Sequence, residues 1–190
     1  MIRAVFLDRD GVLNRAVVRS GKPYPPQSLD QFEILPGVPK AVADLRSAGF
    51  LAIVVTNQPD VTTGIQERGV VDAMHNYLRQ AVPIDDIKIC FCTEGPTCKC
   101  YKPKPGMLLA AARDWSINLS ESYIVGDRWR DIGAGKAAGC RTLFIDYGYD
   151  EELKDKPDIV VLDLPDAANI ILHQTAGRNQ AMASTGVRRK

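Results

Sequence analysis

The amino-acid sequence predicts a doubly wound α/β fold, with helices covering both faces of a parallel sheet of about five to six strands. Three observations predict it. Short continuous apolar runs, typical of strands buried on both faces, recur along the chain. Stretches with helical spacing or helix-end signals separate these runs. Polar clusters follow several runs, where an open sheet of this Rossmann-like class binds its ligands.

The composition favours one ordinary globular domain. The chain has 190 residues, 45% of them hydrophobic and 25% charged, with a net charge of +1. This balance disfavours a broad interface with nucleic acid or membrane, and no apolar stretch approaches the ~20 residues that span a bilayer. Met1 leads directly into the first strand, leaving no room for a signal peptide. We therefore expect a cytoplasmic monomer without nucleic-acid or membrane partners.

The first half of the domain begins with an apolar strand that ends at Leu7. The stretch 15–33 is rich in glycine and proline, and we expect an irregular flap over the mouth of a site. Pro36-Gly37 then begins a helix with apolar residues at helical spacing, and Gly49 ends it. A buried strand follows over 51–55. An amphipathic helix runs from about Gln66 to Val82 and is closed by proline.

The second half continues the alternation. A strand over 87–91 leads into a cysteine-rich loop over 90–100, and proline stands in the first turn of a helix over 105–116. The later elements are a strand over 122–125, a helix over 129–138, strands over 141–145 and 159–162, and a helix over 165–173. We expect the domain to span 1–174. The tail 175–190 has too few apolar residues to bury itself, which predicts a mobile segment.

Two aspartates follow the first strand directly. Asp8 and Asp10 are separated by one residue, and Gly11 lets the backbone turn sharply past them. Both carboxylates can then face one cavity, as a hard-cation site requires. Alone, the motif is equally compatible with a turn that carries two acidic residues.

Polar residues stand at corresponding positions after four predicted strands: Asp8 and Asp10, Thr56 and Asn57, Lys102, and Asp127 with Asp131. In a parallel sheet these strand ends share one edge, so the side chains converge. Taken singly, Thr56 and Asn57 are also compatible with a helix cap or turn. Lys102 is compatible with an ordinary solvated lysine, and Asp127 with Asp131 is compatible with a charged first helical turn. Together they supply the groups for phosphoryl transfer through an aspartyl-phosphate.

Four of the five cysteines lie close together. Cys90, Cys92, Cys98 and Cys100 form a C-x-C-x5-C-x-C pattern that fits a closed, structural Zn²⁺ site. Disulfides and redox chemistry are the alternatives, and a reducing compartment disfavours the first. The loop would set the direction of Lys102, which follows it. We expect the fifth cysteine, Cys140, to be a small core residue.

Four motifs of the chain resemble those of the haloacid dehalogenase (HAD) superfamily of phosphatases: FLDRDGVLN, VVTNQ, KPKPGM and VGDRWRDIGAG. The resemblance runs from about Arg3 to Asp146. Within the superfamily the chain is most similar to the small, capless D-glycero-D-manno-heptose 1,7-bisphosphate phosphatases and their histidinol-phosphatase relatives. The subgroup markers are the DRDGVLN form, TNQ, and a zinc loop that runs into the lysine motif.

The resemblance implies roles for these residues. Asp8 would be the nucleophile, and Asp10 the general acid and then the base, kept protonated in the first step by neighbouring carboxylates. Mg²⁺ would be held by Asp8, the backbone carbonyl of Asp10 and Asp127, with Asp131 holding waters on the metal. Lys102 would neutralise the transferring phosphoryl group. The substrate-binding set implied in this way is Thr56, Asn57, Gln58, Tyr101, Lys102 and Arg128.

The sequence departs from this family at two positions. Cys92 stands where the related heptose phosphatases usually have histidine, which is an equally good zinc ligand. Tyr101 stands where they usually have an arginine that helps to recognise the second phosphate. That charge would then come from Lys99, Lys104, Arg128 or Arg130.

The substrate that the resemblance implies is a phosphorylated sugar, D-glycero-D-manno-heptose 1,7-bisphosphate, cleaved at the 7-phosphate. Histidinol phosphate is the alternative within enzymes, and an acidic site mouth would favour it because its amine is cationic. A zinc-stabilised scaffold without turnover is the alternative from another class. The complete set of aspartates, threonine and lysine argues against the scaffold.

Overall fold

The structure, a computed structural model, describes residues 2–186 of the chain. Its strands are β1 (Arg3–Leu7), β2 (Val17–Arg19), β3 (Lys22–Tyr24), β4 (Phe50–Asn57), β5 (Asp86–Cys90), β6 (Tyr123–Gly126), β7 (Arg141–Ile145) and β8 (Ile159–Val161). Its helices are α1 (Val38–Ser47), α2 (Arg68–Ala81), α3 (Gly106–Trp115), α4 (Trp129–Ala138) and α5 (Leu164–Gly186), with short 3₁₀ turns at Leu29–Gln31, Pro59–Val61 and Leu119–Glu121.

Six strands form one parallel sheet in the order β5-β4-β1-β6-β7-β8. This order confirms the doubly wound prediction, because the chain moves outward from β1 first to one side and then to the other. β1 lies in the centre, between β4 and β6. The carboxyl ends of these three strands therefore lie side by side at one edge, where such folds bind ligands.

Alternate residues of the central strand enter two separate cores. Val5 and Leu7 pack on the face covered by α1, α2 and α5, while Ala4 and Phe6 pack on the face covered by α3 and α4. All four side chains are fully buried. A strand buried on both faces has no polar positions, which is why β1 reads as a continuous apolar run.

The stretch 15–33 is more regular than the sequence analysis expected. β2 and β3 form an antiparallel hairpin around Ser20 and Gly21, both with positive φ (48° and 73°). Two positive φ values define the tight turn that matches strand twist. The Ser-Gly pair was a local signal for this hairpin. Whether the hairpin moves as a flap stays a prediction.

The last helix is longer than predicted. α5 continues to Gly186, whereas the helical pattern ended at His173. Ile171 and Thr175 are still buried, and the Thr175 hydroxyl donates to the Ile171 carbonyl at 2.8 Å. The following residues (AGRNQAMAS) contain few apolar side chains but several good helix formers, so helix propensity continues past the predicted end. Residues 187–190 lie outside the described residues, and the mobility of the tail stays a prediction.

Candidate active site

The first two aspartates lie at the carboxyl end of β1. Asp8 is 7% exposed, and its Oδ1 accepts a 2.8 Å hydrogen bond from the Arg9 backbone N–H. Gly11 has a φ of 89°, and a Cβ atom there would collide with the Asp127 carboxylate. The glycine is therefore required both for the turn and for the close approach of a third aspartate.

Lys102 is the centre of the site. It is 2% exposed, and its Nζ lies 2.8 Å from Asp8 Oδ1, 2.5 Å from Asp131 Oδ1 and 2.8 Å from the Val55 carbonyl oxygen. Nζ donates hydrogen bonds to Asp131 and to the Val55 carbonyl, and its contact with Asp8 is an ion pair. Burial by itself lowers the pKa of Lys102, but Asp131 and Asp8 outweigh it and hold the pKa above its ordinary value.

Asp127 has no cationic partner of this kind among the described residues. Both of its carboxylate oxygens are buried and lack a well-formed hydrogen bond there, although the Tyr149 hydroxyl lies close enough to act against the rise of the Asp127 pKa. Oxygens of Asp8, Asp127 and Asp131 lie within 4.8 Å of one another. Burial, together with Asp8 and Asp131, raises the pKa of Asp127 well above its ordinary value. Burial and Asp131 likewise raise the pKa of Asp8 to about 6, against the effect of Lys102. This uncompensated negative charge is what a divalent cation would neutralise.

Asp131 contacts both the buried lysine and the start of a helix, and its implied role beside the metal stays a prediction. Its Oδ1 pairs with Lys102, and its Oδ2 accepts from the Arg128 backbone N–H at 3.1 Å, at the first turn of α4. Asp131 thus anchors the lysine and caps the helix.

Asp10 is surrounded by donors and not by the carboxylates expected from the sequence. The Arg9 guanidinium contacts both of its oxygens, with Nη2 2.9 Å from Oδ2. The amides of Asn14 and Gln58 donate to Oδ1 and Oδ2, each at 3.0 Å. The two aspartates of the motif therefore lie in opposite electrostatic environments.

Gln58 does not line the cavity, and its expected place among the substrate-binding residues stays a prediction. It is 1% exposed, and its Nε2 donates to Asp10 Oδ2 and to Thr56 Oγ1 at 2.9 Å. Gln58 follows the last residue of β4, and these two hydrogen bonds hold its side chain inside the protein. Gln58 links two residues of the site and does not line it.

Thr56 and Asn57 end β4 and line the cavity together with Asp8. Thr56 Oγ1 accepts from Gln58, which leaves its own proton free for a bound group. The Asn57 side chain pairs with the backbone of Lys102, accepting from its N–H at 3.1 Å and donating to its carbonyl at 3.3 Å. Asn57 therefore fixes the loop that carries the lysine.

Sequence reasoning missed the pair Arg9 and His75. Arg9 is fully buried, and its Nη1 lies 3.0 Å from His75 Nε2 in α2. Burial and the Arg9 cation lower the pKa of His75 to about 4. In the sequence Arg9 is part of the FLDRDGVLN motif, with no sign that it is buried, and His75 stands within the predicted amphipathic helix over 66–82. The helical spacing of His75 on an apolar face was the one local signal.

The cavity above these residues has a volume of about 240 Å³. Asp8, Asp10, Lys102 and Asp131 line its floor, and the hairpin contributes Lys22, Pro23, Tyr24 and Pro25 to its mouth. The rest of its rim includes Asp60, Tyr101, Arg128, Arg130 and Glu151.

The two arginines of the rim differ in their partners. Arg128 forms a two-pronged ion pair with Glu151, in which Nε lies 3.0 Å from Oε2 and Nη2 contacts Oε1. Arg130 lies over the Tyr101 ring, with its guanidinium carbon 5.5 Å from the ring centroid, and pairs with Glu94 at 2.7 Å. Its Nη1 is buried and has no partner among the described residues.

The four clustered cysteines converge on one point. Their sulfurs all lie within 4.8 Å of one another, and three pairs are separated by 3.5–3.8 Å. The sulfurs of Cys90 and Cys100 lie at bonding distance, as in a disulfide, which differs from the four thiolates expected from the sequence. Lys104 holds the loop by donating to the carbonyls of Gly95 and Cys98, at 2.6 and 2.5 Å. Cys140 is buried in the core, as expected.

The fold and this site define the class of the protein. A doubly wound sheet that presents an Asp-x-Asp-Gly turn, a threonine, a buried lysine and a third aspartate at one edge is the arrangement of the HAD phosphatases. A family profile described as HAD-hydrolase-like matches residues 99–167. The chain is a phosphatase of this class.

The comparisons with known proteins give the family. The chain is 34% identical over 158 residues to the D-glycero-beta-D-manno-heptose-1,7-bisphosphate 7-phosphatase of Pseudomonas aeruginosa, covering 80% of this chain and 86% of the relative. It is 32% identical over 185 residues to the protein of that name from Pasteurella multocida, covering 90% and 97%. The chain therefore belongs to the heptose bisphosphate phosphatase family of the HAD superfamily.

The solved structures agree. The D,D-heptose 1,7-bisphosphate phosphatase from B. bronchiseptica, complexed with magnesium and phosphate, superimposes with a TM-score of 0.76 at 28% identity, covering 91% of this chain and 99% of the other. The enzyme of that name from Burkholderia thailandensis gives a TM-score of 0.62 at 28% identity, covering 90% and 98%.

The buried histidine predicts a pH dependence of stability. The pKa of His75 is about 4 in the folded chain, against an ordinary value of 6.5, so the unfolded chain binds this proton first as the pH falls. His75 should therefore contribute a loss of up to about 3 kcal/mol between pH 6.5 and pH 4, whereas Asp8, whose pKa is raised to about 6, contributes in the opposite direction over this range. His75→Gln should remove this part of the loss, measured by urea unfolding at each pH.

The exposed histidine provides the control. His173→Gln should follow the wild-type curve. If His75→Gln and the wild type lose stability in parallel on acidification, His75 does not titrate as the structure indicates.

Proposed function

We propose that the chain is a Mg²⁺-dependent phosphomonoesterase that removes the 7-phosphate of D-glycero-D-manno-heptose 1,7-bisphosphate through a phosphorylated Asp8. The observation that carries the proposal is the triple contact of buried Lys102 with Asp8, Asp131 and the Val55 carbonyl, on the floor of the cavity. The names of the relatives and of the neighbouring structures support this substrate.

Asp8 suits the role of nucleophile because its carboxylate lines the cavity and Lys102 fixes one of its oxygens. Lys102 and Thr56 would then hold the oxygens of the transferring phosphoryl group. Asp10 would donate a proton to the departing sugar oxygen and later take one from the attacking water. Its oxygens lie at the same cavity, held by Arg9, Asn14 and Gln58.

The residues around Asp127 fit a divalent cation, because its two buried oxygens have no cationic partner in the part of the chain that the structure describes and three carboxylates crowd together. Asp8, Asp127 and the backbone carbonyl of Asp10 would hold Mg²⁺, with waters completing the coordination. Bound there, the metal would reduce the repulsion between the Asp8 carboxylate and the phosphate dianion.

The cysteine cluster fits a structural Zn²⁺. A tetrahedron with Zn–S bonds of about 2.3 Å has sulfur–sulfur edges of about 3.8 Å, close to the three separations of 3.5–3.8 Å. A disulfide between Cys90 and Cys100 would use only two of the four sulfurs and would leave the positions of Cys92 and Cys98 unexplained. We therefore favour zinc in the reduced protein.

Arg130 is our candidate for binding the second phosphate. Of the four cations considered from the sequence, Lys104 holds the cysteine loop and Arg128 is neutralised by Glu151. Lys99 is exposed. Arg130 lies over Tyr101 at the rim, has an unpaired buried N–H group, and is paired only with a glutamate that is 60% exposed. It thus brings a guanidinium to the position that the family fills with arginine.

The rim does not favour histidinol phosphate. Arg128 is paired with Glu151 and Arg130 with Glu94, but the Nη1 of Arg130, unpaired in the described part of the chain, offers a donor that suits a second phosphate better than a cationic amine. Among the described residues, none of the helices has the length and apolar character to cross a membrane. A cytoplasmic location and a monomeric state stay predictions.

Replacing the nucleophile should abolish turnover. Asp8→Asn removes the attacking carboxylate, so kcat should fall about a thousandfold or more, whereas the circular dichroism spectrum should stay unchanged. Phosphate release in the presence of Mg²⁺ measures this. Asp30→Asn, at an exposed position outside the cavity, is the matched control and should keep full activity. Near-wild-type activity of Asp8→Asn would exclude Asp8 as the nucleophile.

The zinc site predicts a metal content. Protein purified under reducing conditions should hold one Zn²⁺ per chain, and Cys98→Ser should lose it and melt at a lower temperature. Elemental analysis and thermal unfolding measure the two effects. Cys140→Ala should retain the zinc, because Cys140 lies in the core away from the cluster. Wild-type protein without zinc, or a fully loaded Cys98→Ser variant, would contradict the site.

The substrate is tested by kcat/KM on a panel: both anomers of the heptose bisphosphate, heptose 7-phosphate, histidinol phosphate and an aryl phosphate. One bisphosphate anomer should lead the panel. Arg130→Gln should raise KM for the bisphosphate by about tenfold, the scale of a lost charge-assisted hydrogen bond, and leave KM for the 7-phosphate nearly unchanged.

Arg113→Gln, on the exposed side of α3, serves as the charge-matched control and should alter neither KM. Weak and equal activity on every member of the panel would support a phosphatase and contradict the heptose substrate. An equal rise of both KM values in Arg130→Gln would place the second phosphate elsewhere.

A further inference from the structure

The Asp-Arg-Asp turn contains a fully buried arginine between two residues of the site. Arg9 is 0% exposed, and its side chain points away from the cavity into the protein. Its guanidinium contacts Asp10 through Nε, 3.2 Å from each oxygen, and through Nη2, at 3.0 and 2.9 Å. A planar fork that meets a carboxylate in this way fixes both the position and the rotation of the carboxylate.

The remaining nitrogen of this guanidinium is held from α2. Arg9 Nη1 lies 3.0 Å from His75 Nε2, and the guanidinium carbon lies 5.6 Å from the centroid of the Phe32 ring. A guanidinium can only donate, so the histidine nitrogen must accept, and the ring proton must lie on Nδ1. His75 is therefore a neutral imidazole in a single tautomer.

A buried histidine at this position does not favour the stability of the folded chain. His75 is 4% exposed, and its Nδ1 is buried without a partner among the described residues. An apolar side chain at this position of α2 would join Met74 and Leu78 in the core without leaving a donor unpaired. The histidine is explained by the acceptor that it offers to Arg9.

We propose that Arg9 and His75 are positioning residues for Asp10: His75 fixes the guanidinium of Arg9, and Arg9 holds the Asp10 carboxylate where it reaches the leaving oxygen. The inference rests on the proposed acid–base role of Asp10. An acid must lie within hydrogen-bond distance of the atom that it protonates, and a carboxylate free to rotate would spend little time there.

The leaving-group dependence of kcat/KM tests this. The value of kcat/KM reports the transfer of the phosphoryl group to Asp8, before any hydrolysis of the intermediate. The substrates are aryl phosphates from 4-nitrophenyl to phenyl phosphate, with the heptose bisphosphate at the end of the series. The pKa of the leaving group rises along this series, so its oxygen depends increasingly on receiving a proton. A well-placed acid keeps the slope against the pKa of the leaving group shallow.

The matched variants are His75→Leu, which removes the acceptor, and His75→Gln, which retains an acceptor oxygen. His75→Leu should steepen the slope, losing at least about tenfold more kcat/KM on phenyl phosphate than on 4-nitrophenyl phosphate. His75→Gln should restore most of the shallow slope. A merely structural defect would lower all esters by one common factor and would leave the slope unchanged.

If His75→Leu does not fold, as judged by its melting transition, the same slope is measured on Arg9→Lys. That variant keeps the charge and loses the fork, so its slope should also steepen. An unchanged slope in the folded variants would overturn the positioning role while leaving the phosphatase proposal intact. Wild-type protein without turnover of any ester would instead overturn the phosphatase proposal and the positioning role with it.

Discussion

The site depends on one buried ammonium group. Nζ of Lys102 contacts Asp8, Asp131 and the Val55 carbonyl. It thereby joins the carboxyl end of β1, the first turn of α4 and the last residues of β4. Burying a charge costs several kcal/mol unless partners compensate it. Here two carboxylates and a carbonyl compensate one lysine, and the third carboxylate, Asp127, has no cationic partner among residues 2–186. The net negative charge that remains is the physical basis for a metal at this position.

The direction of Lys102 is determined by what precedes it. Asn57 pairs with both backbone groups of Lys102, and the cysteine loop ends two residues before it, at Cys100. The Tyr101 N–H donates to Cys98 Sγ at 3.3 Å, so the loop and the lysine share a backbone constraint. A loop with little core of its own needs such a constraint. The cysteine cluster therefore lies near Lys102, but we assign it a structural role and no part in the reaction.

The two aspartates of the turn show how one motif can provide two environments. Asp8 lies among carboxylates and one lysine, whereas Asp10 is held by a guanidinium and two amides. Pairs of titratable groups whose surroundings differ in this way divide the roles of nucleophile and acid–base group between them. The sequence alone does not tell the two aspartates apart. Their environments differ because their side chains point in different directions from the turn.

The sequence by itself determined the sheet, most of its helices and the four polar clusters at its edge. Buried parallel strands have apolar sequences throughout. Their carboxyl ends lie together because of the backbone topology, independently of side-chain conformation. Only the tertiary structure decided that Gln58 turns inward, that Arg9 and His75 support Asp10, and that Arg130 lies over Tyr101. These contacts join residues from different elements, and they depend on side-chain directions that local periodicity does not encode. The extension of α5 was missed for the opposite reason, because helix propensity continued where the apolar pattern had already ended.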